Sequence, residues 1–191
     1  MQMSSFFSAL ALGSAALLAA HPAVAQQKLV PAQSEVQFTA RQMGVPLEGH
    51  FKKFDAQVSF DPAKLATSKI VFTVDTGSAT MGSRETDAEL PKATWFNVPQ
   101  FPQATFQSSA IKALGAGKFE VTGKLSIKGM ARDVVVPVTL VQNGATTMAT
   151  GALPLKRLAF KIGENEWADT SMVADDVQVK FQLALTGVGK L

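Results

Sequence analysis

Apolar and polar side chains alternate along Asp176-Val177-Gln178-Val179-Lys180-Phe181-Gln182-Leu183-Ala184-Leu185. Successive side chains on a β-strand point to opposite faces, so an alternation with period two collects the apolar residues on one side. One face therefore carries Val177, Val179, Phe181, Leu183 and Leu185. The stretch predicts a long strand with one face in an apolar interior and the other in water.

The same period recurs along the chain in seven further segments, and no long helical pattern interrupts them. These predicted strands are 35–43, 54–60, 70–75, 105–111, 119–123, 134–140 and 146–153. Asn143-Gly144, between the last two, is a strong hairpin signal. Strands at this spacing, with turn residues between them, predict an all-β sandwich or an up-and-down barrel.

One region departs from the strand pattern. Residues 82–91 are polar and helix-compatible, with Ser83 as a candidate N-cap, and they lead into the aromatic, proline-punctuated stretch 95–102. We interpret the region as a short helix or helical loop that closes one end of the fold. Trp95, Phe96 and Phe101 either plug that end or face an apolar ligand.

The N-terminus has the features of an export signal. Residues 6–20 are almost wholly apolar or small, and Ala23-Val24-Ala25 supplies the small-x-small pattern that signal peptidase accepts. We predict a cleaved signal peptide over 1–25, a single mature domain over 26–191 and a periplasmic location. A buried N-terminal helix is the alternative. The sequence contains no cysteine, so stability must come from packing and not from disulfides.

Composition and charge argue against nucleic-acid binding. Hydrophobic residues are 47% of the 191 and charged residues only 17%, with a net charge of +3. The short basic pairs Lys52-Lys53 and Lys156-Arg157 do not form the clustered basic stripe of nucleic-acid binders. We interpret both pairs as solvated surface charge.

The sequence also gives little support for catalysis. Its two histidines are His21, which the predicted cleavage removes, and His50. One histidine and no cysteine cannot build a histidine-rich or thiolate metal site, and a Ser-His-acid triad would have to use His50. The carboxylates of Glu164, Glu166 and Asp169 fall in a loop-like segment, where we expect them to be solvated. We predict no enzymatic activity, no metal site and no required cofactor.

Several motifs, in order, resemble the YceI-like family of exported polyisoprenoid-binding proteins along nearly all of the mature chain. They are Ser34-Glu35-Val36-Gln37-Phe38, Gly49-His50-Phe51, Phe60-Asp61, Arg84-Glu85, Trp95-Phe96, Pro102-Gln103-Ala104-Thr105-Phe106-Gln107-Ser108, Val121-Thr122-Gly123-Lys124-Leu125-Ser126-Ile127-Lys128-Gly129 and Val173-Ala174-Asp175-Asp176-Val177. Family members often carry histidine where this chain has Gln33, Met43 and Lys128, so recognition of a ligand head group by histidine is not expected here.

The resemblance implies an eight-stranded antiparallel, lipocalin-like barrel that holds an isoprenoid tail lengthwise. A barrel of about eight strands has room for its own side chains or for one slender ligand. The residues that we predict to line the ligand site are Phe38, Phe72, Met81, Trp95, Phe96, Phe106, Phe160, Ile162, Trp167 and Phe181. Ordinary core packing is the alternative for each of them.

Two functions are compatible with the predicted barrel and ligand site. The first is a carrier for a polyisoprenoid lipid or an isoprenoid quinone. The second, which the resemblance suggests, is a non-enzymatic accessory protein that supports a membrane-bound, cytochrome b561-type electron-transfer partner. The sequence leaves a homodimer open.

The predicted leader can be tested directly. N-terminal sequencing of protein from the periplasmic fraction should begin at Gln26, because the small-x-small site ending at Ala25 follows an apolar run of the right length. An intact leader in a membrane fraction would contradict both the cleavage and the location.

Overall fold

The computed structural model describes residues 27–191, so the predicted leader lies outside the described residues. The described part forms one antiparallel sheet of eleven strands with a single short α-helix, α1 (Arg84–Glu89). The strands are β1 (Lys28–Leu29), β2 (Glu35–Gln42), β3 (Val45–Phe51), β4 (Phe54–Ser59), β5 (Lys69–Asp75), β6 (Ala79–Thr80), β7 (Gln103–Gly115), β8 (Lys118–Ile127), β9 (Met130–Asn143), β10 (Thr146–Lys156) and β11 (Asp176–Thr186).

The sheet curls so that β4, at one end of its order, lies close to β1, while the edge strands β4 and β6 are not paired with each other. Its order is β4-β5-β7-β8-β9-β10-β11-β2-β3-β6, with β1 paired to β11. β3 and β4 are consecutive in the chain, joined only by Lys52-Lys53, yet they lie near opposite ends of this order. The side chain of Gln27, which precedes β1, bridges to Phe60, which follows β4. Its Nε2 donates to the Phe60 carbonyl at 2.6 Å, and its Oε1 accepts from the Phe60 backbone N–H at 2.8 Å.

The predicted all-β, lipocalin-like barrel is confirmed, with eleven strands where eight were predicted. β3 lacks the alternating signal because Gly49 occupies an inward position and Pro46 interrupts the run. β1 and β6 have two residues each, too few for a period to show. The predicted hairpin at Asn143-Gly144 joins β9 to β10, with Gly144 and Ala145 as its loop.

The predicted short helix is present as α1, but Ser83 makes no side-chain capping bond. The loop before α1 is held instead by Asp87, which accepts hydrogen bonds from the Thr80 hydroxyl and the Met81 amide. These bonds favour the charged carboxylate and lower the pKa of Asp87.

A buried arginine organises the segment between β10 and β11. Arg157 is only 3% exposed, so the interpretation of Lys156-Arg157 as solvated charge is wrong for Arg157 and holds for Lys156, which pairs with Asp176 at the surface. All five guanidinium N–H groups donate to backbone carbonyls at 2.6–3.0 Å, those of Ile162, Gly163, Trp167, Val173 and Ala174. Burial lowers the pKa of Arg157, and the charge of Asp175 opposes that shift.

Lys128 connects the β8–β9 turn with the backbone at Ala93 and with the 161–164 segment, at the same end of the barrel. It occupies the β8–β9 turn with a φ of 47°. Its ammonium donates to the carbonyls of Ala93 and Lys161, each at 2.7 Å, and to the Glu164 carboxylate at 2.8 Å. The hydrogen bond from Lys128 lowers the pKa of Glu164. Glu164 therefore fixes a loop in addition to being partly solvated.

We predict that Arg157→Met lowers the free energy of unfolding by about 3 kcal/mol or more, because several carbonyls lose their donor at once. Urea denaturation measures this loss. Arg132→Met is the matched control, since Arg132 is exposed and its side chain bonds only to the adjacent Ala131 carbonyl. Equal losses in the two variants would contradict the organising role of Arg157.

Candidate ligand-binding cavity

An apolar cavity of about 490 Å³ lies within the curled sheet. All nine of the longer strands contribute inward side chains to its wall. β11 contributes Val177, Val179, Phe181, Leu183 and Leu185, the face that its alternation predicts. The volume is within the usual range of about 300–1,000 Å³ for small-molecule sites.

The end of the barrel beneath the β7–β8 and β9–β10 turns is filled by apolar side chains. The rings of Phe60 and Phe119 pack edge to face, with centroids 5.3 Å apart and planes at 88°. Both rings are buried, as are Val36 and Leu185 on the neighbouring strands. A ligand that reaches this end meets only apolar surface.

The opposite end has the polar part of the lining. Its polar and charged residues are Arg41 and Gln42 at the end of β2, Glu85, Thr86 and Glu89 on α1, and Arg157. Arg41 and Glu85 are exposed to solvent. We call the rim formed by Arg41, Gln42, Glu85, Thr86 and Glu89 the mouth.

Aromatic residues beside the mouth divide into two groups. Phe96 and Phe160 are buried in a cluster with Leu90 and Ile127, which Phe51 joins through an edge contact with Phe96 at 6.0 Å. Trp95 and Trp167 are only half-buried, and their rings are tilted by 48° with centroids 5.5 Å apart. Both groups border the lumen, and the first also packs this end of the barrel.

Three phenylalanines lie against glycines on the inner wall. Phe38 is directly opposite Gly49 and Phe181 directly opposite Gly151, while Phe106 is diagonal to Gly123. A β-carbon at any of these glycines would overlap the facing ring. Each phenylalanine ring therefore occupies the space that a side chain at the facing glycine would fill, and the lumen stays open beside the ring.

The structure places all ten predicted site residues around this one cavity. That they contact a ligand stays a prediction. The wall also includes Phe51, Phe60, Leu90, Phe119 and the charged mouth, none of which is among the ten predicted site residues. The alternation within the predicted strands already indicated Phe60 and Phe119, but no sequence signal indicated that Glu85 and Glu89 would border the lumen.

His50 lies on the outer face of β3 and is exposed, away from the cavity wall. Among residues 27–191, no group of three or more His, Cys, Asp or Glu side chains is arranged to hold a metal ion. Within the same residues, no helix has the length and apolar character needed to cross a membrane.

An antiparallel sheet curled around an apolar lumen with one polar end is a lipocalin-like fold. Residues 27–185 match the YceI-like domain, and the chain belongs to that family. A curated relative, a UPF0312 protein of Azotobacter vinelandii, is 36% identical over 140 residues, which cover 71% of this chain and 72% of the relative.

Solved structures have the same architecture. Burkholderia cenocepacia BcnA is 51% identical, with a TM-score of 0.79, and the match covers 82% of this chain and 98% of that one. A polyisoprenoid-binding domain from Saccharophagus degradans has a TM-score of 0.68 at 14% identity, with 84% and 98% of the two chains covered. At that identity the second likeness shows the fold alone.

The packing of phenylalanine on glycine can be tested with a double-mutant cycle. We predict that Gly49→Ala destabilises the protein by about 1–3 kcal/mol, because the new methyl group overlaps the Phe38 ring and approaches the Thr80 carbonyl. The cost should be smaller in a Phe38→Leu background, with a coupling of about 1 kcal/mol.

Gly189→Ala is the control for this cycle, since its nearest neighbour would be a Pro62 carbon at 3.8 Å. Urea denaturation of all four variants measures the free energies. If Gly49→Ala lowered the free energy of unfolding equally with and without the Phe38 ring, the packing of that ring would not depend on Gly49.

Proposed function

We propose that this protein is a periplasmic carrier that holds the tail of a polyisoprenoid lipid or an isoprenoid quinone inside its barrel. The observation that carries the proposal is the apolar cavity enclosed by the nine longer strands, with polar groups concentrated at one end. Support comes from the polyisoprenoid-binding description of the Saccharophagus degradans domain, which shares the fold.

The lumen can supply the binding energy from its tail contacts alone. Each CH₂ group moved out of water contributes roughly 0.8 kcal/mol, before the ordering of the ligand is subtracted. A few isoprene units therefore suffice for a typical affinity. The wall provides no charged partner along most of its length, so the tail must be uncharged.

The mouth favours an uncharged head group over a phosphate. Arg157, the buried cation in the cavity lining, already donates all five N–H groups to carbonyls, so none is left for a ligand. Arg41 is accompanied on the rim by the carboxylates of Glu85 and Glu89. Carboxylates repel a phosphate, so a quinone ring or an alcohol suits this rim better.

The periplasmic part of the proposal rests on the leader. Residues 6–25 have the apolar run and the small-x-small site of an exported protein, and they lie outside the described residues. A periplasmic protein with an apolar lumen would move a water-insoluble lipid through an aqueous compartment.

We predict that gently purified protein contains a quinone or polyprenol near one molecule per chain. Extraction into organic solvent followed by mass spectrometry measures this occupancy. Phe181→Glu should lower it strongly, because an unpaired charge in an apolar lumen costs several kcal/mol. Gln182→Glu is the matched control, since Gln182 is the next residue on β11 and is exposed.

Circular dichroism must first show that Phe181→Glu remains β-structured; Phe96→Glu provides a second variant if it does not. Added polyprenol or quinone should bind more tightly than the polyprenyl phosphate of the same tail length. Folded native protein that yields no lipid and takes up neither added ligand would overturn the carrier function. That outcome would favour the accessory role beside a cytochrome b561-type partner.

A further inference from the structure

Three exposed apolar side chains lie together beside the mouth. Met43 and Val45, at the tip of the β2–β3 hairpin, are 66% and 58% exposed, and Met172 is 40% exposed. The Met43 amide donates to the Met172 carbonyl at 2.8 Å, which places the two methionines next to each other. We call these three residues the apolar tip.

The hairpin turn itself is conformationally unfavourable for the residue that it exposes. Met43 and Gly44 both have positive φ values, 48° and 79°, in a two-residue turn between Gln42 and Val45. Turns of this kind prefer Asn-Gly, and an unbranched apolar side chain rarely occupies the first position. The Met43 backbone contributes a hydrogen bond to the fold, but its exposed side chain is not explained by packing within the described residues.

The apolar tip is continuous with the cavity wall. Gln42 pairs with Val45 within the hairpin and with Val173 across it, and Gln42, Leu47 and Val173 all line the cavity. The outer surface at the tip and the inner surface of the mouth therefore belong to the same two chain segments. Whatever covers the tip also lies against the entrance to the lumen.

The chemistry of the tip fits a lipid bilayer better than a protein partner. Residues 42–47 and 170–174 contain no Asp, Glu, Lys or Arg, and charged side chains are what most oppose entry into hydrocarbon. The Arg41 guanidinium donates to the Gly44 carbonyl at 3.4 Å, and a long basic side chain at this edge can stay among the lipid head groups. Three side chains expose far less apolar area than the roughly 800 Å² that each partner buries in a stable protein interface. A few apolar side chains are enough for shallow, reversible contact with a membrane.

We propose that the apolar tip inserts into the surface of a phospholipid bilayer and holds the mouth against it, so that the lipid enters the barrel directly from the membrane. The entry step rests on the carrier function proposed above, whereas insertion of the tip does not. An isoprenoid tail then passes from hydrocarbon to the apolar lumen with little exposure to water.

The test uses flotation with phosphatidylcholine vesicles. It compares the unmodified protein with one triple-substituted tip variant and one double-substituted control. The tip variant is Met43→Asn, Val45→Ser and Met172→Ser, in which asparagine suits the positive φ at position 43. The control is Val135→Ser and Val141→Ser, two β9 side chains that are 51% and 59% exposed outside the tip. We expect the tip variant to bind vesicles about tenfold less than the unmodified protein, and the control to bind equally well.

A second measurement separates this proposal from the carrier function. Quinone is supplied either within phosphatidylcholine vesicles or from cyclodextrin, and uptake is followed over time. The tip variant should take up quinone several-fold more slowly from vesicles and equally fast from cyclodextrin. No uptake by any chain from either source would defeat the carrier function, while flotation would still decide whether the tip inserts.

Three results would overturn the membrane contact. The unmodified protein could fail to float with vesicles, the tip and control variants could float equally, or uptake from vesicles could proceed at the same rate in both. Self-association on gel filtration that the tip substitutions abolish, without vesicle binding, would assign the tip to a second copy of the chain instead.

Discussion

The structure depends on one constraint: an apolar barrel must be lined with large side chains and still remain hollow. Close packing would ordinarily fill such an interior, since protein cores reach the density of organic crystals. Phe38, Phe106 and Phe181 satisfy both demands because each ring lies on a glycine of the neighbouring strand. The rings contribute apolar surface to the wall while using the space of absent side chains, and this leaves the cavity of about 490 Å³.

The open end needs a different solution, because loops expose backbone carbonyls that a sheet would pair. Arg157 and Lys128 supply charged donors to those carbonyls from within the fold. The pairing of Lys128 with Glu164 lowers the pKa of that carboxylate, so its contribution to stability is present above the ordinary pKa of 4.5 and is lost as pH falls through the lowered value. These buried cations hold the mouth in shape without occupying it.

The sequence predicts the wall well and the mouth poorly, for a physical reason. Alternation along a strand directly reports which side chains face inward, and it accounts for Phe38, Phe72, Phe106 and Phe181 in the cavity wall. The other six predicted residues lie between strands and follow from their large apolar side chains, not from alternation. β3 escapes the same reasoning because glycine, the residue that makes room for Phe38, carries no hydrophobic signal. Arg157 follows Lys156 in a basic pair, and nothing in that pair indicates that one side chain is buried and the other solvated. The burial of a polar residue depends on tertiary partners, which a local pattern does not contain.

The polarity of the lumen also fixes the direction in which an amphiphile can enter. At the far end Phe60 and Phe119 offer no hydrogen-bond partner, so a polar head group placed there would lose its contacts with water without replacement. At the mouth, Gln42, Thr86 and the exposed Arg41 and Glu85 keep a head group in contact with polar atoms or solvent. Under the carrier function proposed above, an isoprenoid enters tail first with its head at the rim, and the affinity that separates one tail from another comes from the wall alone.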